Sequence, residues 1–140
     1  MGNIWAAETL LGIPSGITET AGKIAYLNAA QQTSVQIMQQ YPACRAVANT
    51  FRFDAGDILY YGTLLTNDGF YTSAEYQSET IVDKVGSGDC FMAGLIYGFY
   101  NQIGAQQTLE FATAAAFKKL FIKGDVTNKS VEEITKAIKL

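Results

Sequence analysis

The sequence predicts an α/β fold, a mixed sheet flanked by helices, on the strength of three observations. Ile81 and Val82 read as the end of a strand, Gly86-Ser87-Gly88 as a tight turn, and Phe91, Leu95 and Phe99 as a helix at i, i+4 and i+8. Residues 44–73 alternate between two side-chain faces and are broken by Asp/Gly turns, the pattern of a strand meander. Helical spacing recurs on both sides of that meander. With 140 residues, 49% hydrophobic and 16% charged, the chain is one domain's worth and can bury a core.

Residues 3–11 form the first expected helix, with Ile4, Ala7, Leu10 and Leu11 as its apolar stripe and Gly12 as its stop. After a Pro/Gly loop, Thr18 opens a long helix to about Tyr41, where Pro42 forbids continuation. Its expected inner face is Ile24, Leu27, Val35 and Met38, and its glutamines make the solvated face. In the strand at 44–53, Ala46, Ala48, Thr50 and Arg52 alternate with Val47, Asn49, Phe51 and Phe53. A second strand at 58–65 leads through Asp68-Gly69 into a third at 70–73. The aromatics collected there (Phe51, Phe53, Tyr60, Tyr61, Phe70, Tyr71) fit sheet packing better than a base-stacking platform, and Arg52 reads as an exposed strand arginine. Residues 76–82 complete the strands and run into the glycine turn. In the helix that follows, Cys90, Gly94 and Gly98 make a small-residue stripe suited to lying close against a sheet. A helix from Thr108 to about Phe121 and a last one led by Ser130 and Glu133, in capping-box spacing, end the chain.

Several function classes are excluded early. The net charge of −3 argues against nucleic acid or an acidic membrane as partner. No apolar run reaches membrane-spanning length, and no leader is expected ahead of the first helix. Two cysteines, Cys44 and Cys90, suit the reduced thiols of a cytoplasmic protein, with a Cys44–Cys90 bond as the alternative. Histidine is absent, which removes Ser–His and Cys–His hydrolase chemistry together with histidine metal sites. Acid–base work would fall to a carboxylate, Lys, Tyr or Cys.

The turn at 86–88 carries the chemistry. A strand, a glycine turn and a helix aim unpaired N–H groups and the positive end of a helix dipole at one point, an arrangement that favours a phosphate. A carboxylate at Asp89 would repel a resting anion. It makes sense where the anion is in transit and the acid takes a proton from the attacking hydroxyl. The alternative is that Asp89 or Ser87 only caps the helix.

The run Asp83-Lys84-Val85-Gly86-Ser87-Gly88-Asp89-Cys90-Phe91 resembles the C-terminal signature of the ribokinase / phosphofructokinase-B family of carbohydrate kinases, Asp-Thr-x-Gly-Ala-Gly-Asp-x-Phe, with Lys84 in the Thr position. Lys84-Val85 is more like the 2-keto-3-deoxygluconate kinase branch. Gly94–Gly98, Ala115-Ala116-Phe117-Lys118 and Gly124-Asp125 continue the match. Asn3 matches the family's Asn-x-x-Glu segment, but Ala6 stands where the Glu should be.

The resemblance implies that residues 1–140 are the C-terminal, nucleotide-binding and catalytic-base part of a three-layer α/β/α, ribokinase-like domain. The sugar-binding part and the lid would precede Met1. It implies an ATP-dependent kinase with Asp89 as base and the amides of Gly86, Ser87 and Gly88 as the anion hole. Ala112, Ala115 and Ala116 would flank adenine, Mg²⁺ would arrive with ATP, and Asp83 with the Val85 carbonyl would hold a monovalent cation such as K⁺. The substrate would be a sugar or sugar acid. Self-association, or docking with a separate N-terminal half, is expected because a sheet cut through its middle exposes an edge. By itself the chain should phosphorylate sugar poorly, since positioning supplies most of this catalysis. A non-catalytic nucleotide- or partner-binding module, and an unrelated anion-binding α/β domain, stay open beside it.

Overall fold

In the computed structural model, which describes residues 1–18 and 20–139, three layers stack in the order helix, sheet, helix. The elements are α1 (Ala6–Leu11), α2 (Lys23–Gln40), β1 (Ala46–Ala55), β2 (Asp57–Thr66), β3 (Gly69–Thr72), β4 (Tyr76–Ser78), α3 (Ser87–Tyr100), α4 (Ala105–Lys119) and α5 (Val131–Thr135). Strand β2 is central: β1 pairs along one edge, and β3 and β4 share the other. All three ladders are antiparallel, and the parallel pairing expected of a mixed sheet is confined to a single bridge, Gly2 to Asn49.

Alternation along β1 and β2 sends side chains into two separate cores. One face carries Phe51 and Tyr61 against Ile4, Tyr26, Ala29 and Ala30 of the α1–α2 layer. The Phe51 and Tyr61 rings stack with centroids 4.8 Å apart, and Tyr26 meets Phe51 edge-on at 5.9 Å. The opposite face carries Ala48, Ile58, Tyr60 and Leu64 against Phe91 and Leu95 of α3, the apolar side of α4, and Ile134 of α5. With helices on both faces, β2 is buried almost end to end.

Several expectations change. Helix α2 begins at Lys23 rather than Thr18, and Glu19 lies outside the described residues. Its inner face is Tyr26, Ala29, Ala30, Thr33 and Ser34, while Ile24 is 77% exposed and Val35 is also exposed. Apart from Tyr26, which packs edge-on against Phe51, that face is made of small residues that let the helix lie close to the sheet. Ile81 and Val82 do not continue β4, which stops at Ser78. The N–H groups of Val82 and Asp83 instead donate to the Leu120 carbonyl, at 2.8 and 3.1 Å, so this segment is tied to the end of α4. Finally, the Gly94 and Gly98 stripe of α3 meets α4, not the sheet: a methyl group at Gly94 would stand 2.5 Å from Ala112 Cα, and one at Gly98 2.5 Å from Thr108. Phe99, expected on the inner face, is exposed. Cys44 and Cys90 are both free thiols.

Candidate active site

The glycine turn sits where the end of α4, the start of α3 and the 122–127 segment converge. Asp83 organises it. Its carboxylate accepts from Val85 N at 3.0 Å and from Gly124 N at 2.9 Å. Those two N–H groups hold the Asp83 carboxyl below the usual carboxylate range. Lys84 pairs with Asp54 at the end of β1, and Arg52 Nε lies 3.6 Å from the same carboxylate, so one acid links the turn to the sheet.

Gly86 is the N-cap of α3 with φ +78°, the left-handed region that glycine enters without strain. The space is also closed to a side chain, because a Cβ there would run into the Asp125 carbonyl oxygen. No side chain caps the helix, so neither Ser87 nor Asp89 serves as the conventional cap. Ser87 N reaches Lys84 O at only 3.5 Å and Cys90 N donates to Gly86 O at 2.9 Å. Between them, Gly88 N and Asp89 N find no acceptor among the described residues. First-turn N–H groups left free in this way attract an anion.

Ser87 and Gly88 line a cleft of about 340 Å³ whose other polar walls are Asn3, Thr50, Arg52 and Tyr60. The Asn3 side-chain oxygen accepts from Trp5 N and Ala6 N, at 3.1 and 3.0 Å, and so starts α1. Burial pushes the Tyr60 hydroxyl well above the usual tyrosine range, against a smaller opposing effect of its hydrogen bond with Thr50. Asp89, one residue beyond the lining, is exposed and its carboxylate has no hydrogen-bond or ion-pair partner among the described residues. Gly86, Ser87, Gly88, Asp89, Asp83 and Val85 are therefore brought together at one place. Ala112, Ala115 and Ala116 are not: they are buried against α3 and the sheet, with no open surface for a flat ring. Among the described residues, no three acidic or thiol side chains group closely enough to hold a metal ion.

Two residues carry more than their sequence context suggests. Arg52 faces the cleft, where alternation alone leaves it an exposed strand arginine. Lys119 is fully buried at the end of α4, with Nζ 2.9 Å from Ile122 O and 3.4 Å from Asp83 O. The signal for it is present, since Lys119 continues the stripe of Ala112, Ala115 and Ala116 at helical spacing, where a charge is out of place.

A helix–sheet–helix stack whose glycine turn opens a helix beside a polar cleft defines a ribokinase-like α/β protein. Residues 56–130 match the pfkB family of carbohydrate kinases, and the chain belongs to that family. Among solved structures it is similar to 2-dehydro-3-deoxygluconokinase of Thermotoga maritima, with TM-score 0.81 and 32% identity over 97% of this chain and 39% of that one. A putative 2-keto-3-deoxygluconate kinase of Enterococcus faecalis shares the fold at TM-score 0.74 and 23% identity, over 94% of this chain and 37% of the other. A 52-residue stretch, 37% of this chain, is 42% identical to 17% of 1-phosphofructokinase from Haemophilus influenzae. The chain thus spans well under half the length of these relatives. Among the described residues no helix is long and apolar enough to cross a membrane.

Proposed function

We propose that this chain is the nucleotide and catalytic-base part of an ATP-dependent sugar kinase, with 2-keto-3-deoxygluconate or a similar sugar acid as acceptor. The observation that carries the reading is the free Gly88 and Asp89 N–H pair beside an exposed, unpartnered Asp89 carboxylate. Such a pair holds charge on a phosphoryl group while the acid removes the alcohol proton. Lys84-Val85 and the likeness to the Thermotoga kinase support the choice of acceptor.

The residues present fit a polyphosphate: free N–H groups, the Ser87 side of the cleft, and Arg52 within reach of its mouth. When bound, ATP with its Mg²⁺ supplies the transferable phosphoryl group and neutralises part of its charge. Asp89 then acts as general base towards the sugar hydroxyl, and the Gly86–Gly88 backbone orients the group being transferred. The buried alanines of α4 take no part in this reading. A cytoplasmic location and association with further sugar-binding structure complete it.

Two variants test it. Gly88 has open space where a Cβ would point and no positive φ, so Gly88→Val is expected to keep the fold while crowding the free N–H groups of Gly88 and Asp89. ATP is expected to raise the unfolding temperature of the wild type and of Asp89→Asn, and to leave Gly88→Val unmoved. Sugar-dependent turnover of ATP, weak in this chain by itself, is expected to fall by roughly 10²–10⁴-fold in Asp89→Asn. Turnover at the wild-type rate in Asp89→Asn removes the base, and an ATP-insensitive wild type removes the nucleotide. A chain stabilised by ATP with no turnover at all favours the second reading, a nucleotide-binding module without catalysis.

A further inference from the structure

The family resemblance places a monovalent cation at Asp83 and the Val85 carbonyl, and in this chain a built-in cation, the Lys119 ammonium, already lies against the same segment. Both Asp83 carboxylate oxygens already accept backbone N–H groups, from Val85 and Gly124. The main-chain carbonyls of Asp83 and Ile122, which belong to the two segments that meet beneath the turn, face the Lys119 ammonium at 3.4 and 2.9 Å. That ammonium is fully buried. A buried charge persists only where oxygens replace its water, and these oxygens do so in part.

We propose that the Lys119 ammonium stands in for a bound monovalent cation, clamping residues 81–86 to residues 122–125 from inside the protein. An ammonium group and K⁺ are similar in size and charge, and both are satisfied by rings of carbonyl oxygens. A second monocation held by Asp83 would meet the like charge of Lys119, which already acts on that carboxylate. The clamp has a clear structural consequence. Gly86 packs directly against the Asp125 carbonyl, so by holding the 122–125 segment in place Lys119 helps to fix the position of the first turn of α3. Its charge also reaches Asp83 and Cys90, the neighbours on either side of the turn. The inference deepens the reading of the turn as a phosphate site but is tested without catalysis, so it can fail while that reading survives.

The test is thermal unfolding of the whole chain in KCl and in choline chloride at equal ionic strength. Wild type is expected to unfold at the same temperature in both. Lys119→Met, which fills the space without charge, is expected to lose roughly 10 °C in either salt. Lys119→Ala, which leaves room for an ion, is expected to recover part of its loss in KCl and none in choline chloride. A K⁺-specific rise in wild type, a Lys119→Met protein as stable as wild type, or a Lys119→Ala protein indifferent to K⁺ overturns the proposal. Should neither variant fold, the wild-type comparison decides by itself.

Discussion

At Gly86 and Gly88 one residue type serves two unlike ends. Gly86 is required by the fold: its φ of +78° and the Asp125 carbonyl in the path of any Cβ exclude every side chain. Gly88 is not required by packing, since its Cβ direction is empty. Gly86→Ala is therefore expected to cost about 2–4 kcal/mol, from the left-handed conformation plus the backbone clash. Gly88→Ala should fall within about 0.5 kcal/mol of wild type, because alanine is a good helix former at that position. Chemical denaturation of the two variants checks this, and equal losses would show that the turn is held by something other than the Asp125 contact. The Gly-x-Gly-Asp run is legible in the sequence as a unit. That one glycine answers to sterics and the other to an open cleft is not, because the carbonyl that decides it lies 39 residues away in the chain.

Elements are most legible where alternation is strong and least where small residues do the packing. Strands β1 and β2 lie within two residues of their expected bounds, since both faces of the sheet bury aromatic and branched side chains in period two. For α2 the sequence points to the wrong inner face, because large apolar residues such as Ile24 outweigh Ala29 and Ala30 in any reading by hydrophobicity. The same small-residue logic operates between α3 and α4, where Gly94 lies over the Ala112 backbone. Gly94→Ala should push the two helices apart and cost about 1–3 kcal/mol, an overpacking penalty visible as a lower denaturation midpoint. A midpoint unchanged by the extra methyl would mean that the interface has room that the 2.5 Å contact denies. At the other end of the chain the expected capping box is present. Glu133 accepts from Ser130 N, Ser130 Oγ accepts from Glu133 N, and Lys129 pairs with the Glu133 carboxylate. The Ser130 N–H first, then Lys129, hold the Glu133 carboxyl at about 2, below its ordinary 4.5. The folded value is the lower one. The cap's contribution is thus full above the ordinary value and is lost as pH falls from about 4.5 towards about 2. Glu133→Gln should flatten the stability profile in that acid window and nowhere above it, as urea titrations at successive pH values will show.

For the molecule as a whole, what stands out is the outer edge of β1. The sheet ends in β3 and β4 on one side and in β1 on the other, and β1 meets only the Gly2 bridge among the described residues. Beside that thinly paired edge runs a mostly apolar groove of about 170 Å³, lined by Leu10 and Leu11 of α1, Ile37 of α2 and Val47 of β1. Leu10 is 77% exposed at its rim. An open strand edge next to exposed leucines is a surface that recruits another chain unless something blunts it. Arg45 precedes β1 and Arg52 and Asp54 lie towards its other end, so the stretch from Val47 to Thr50 carries no charge of its own. Association is therefore expected through this edge, and light scattering on the eluted protein should give a mass above that of one chain which falls on dilution. Leu10→Glu puts a charge at the groove without touching a buried contact, and it should return the protein to the monomer with its unfolding temperature otherwise preserved. A wild type that remains monomeric at the highest concentration reached would show that Gly2 and α1 already close the edge.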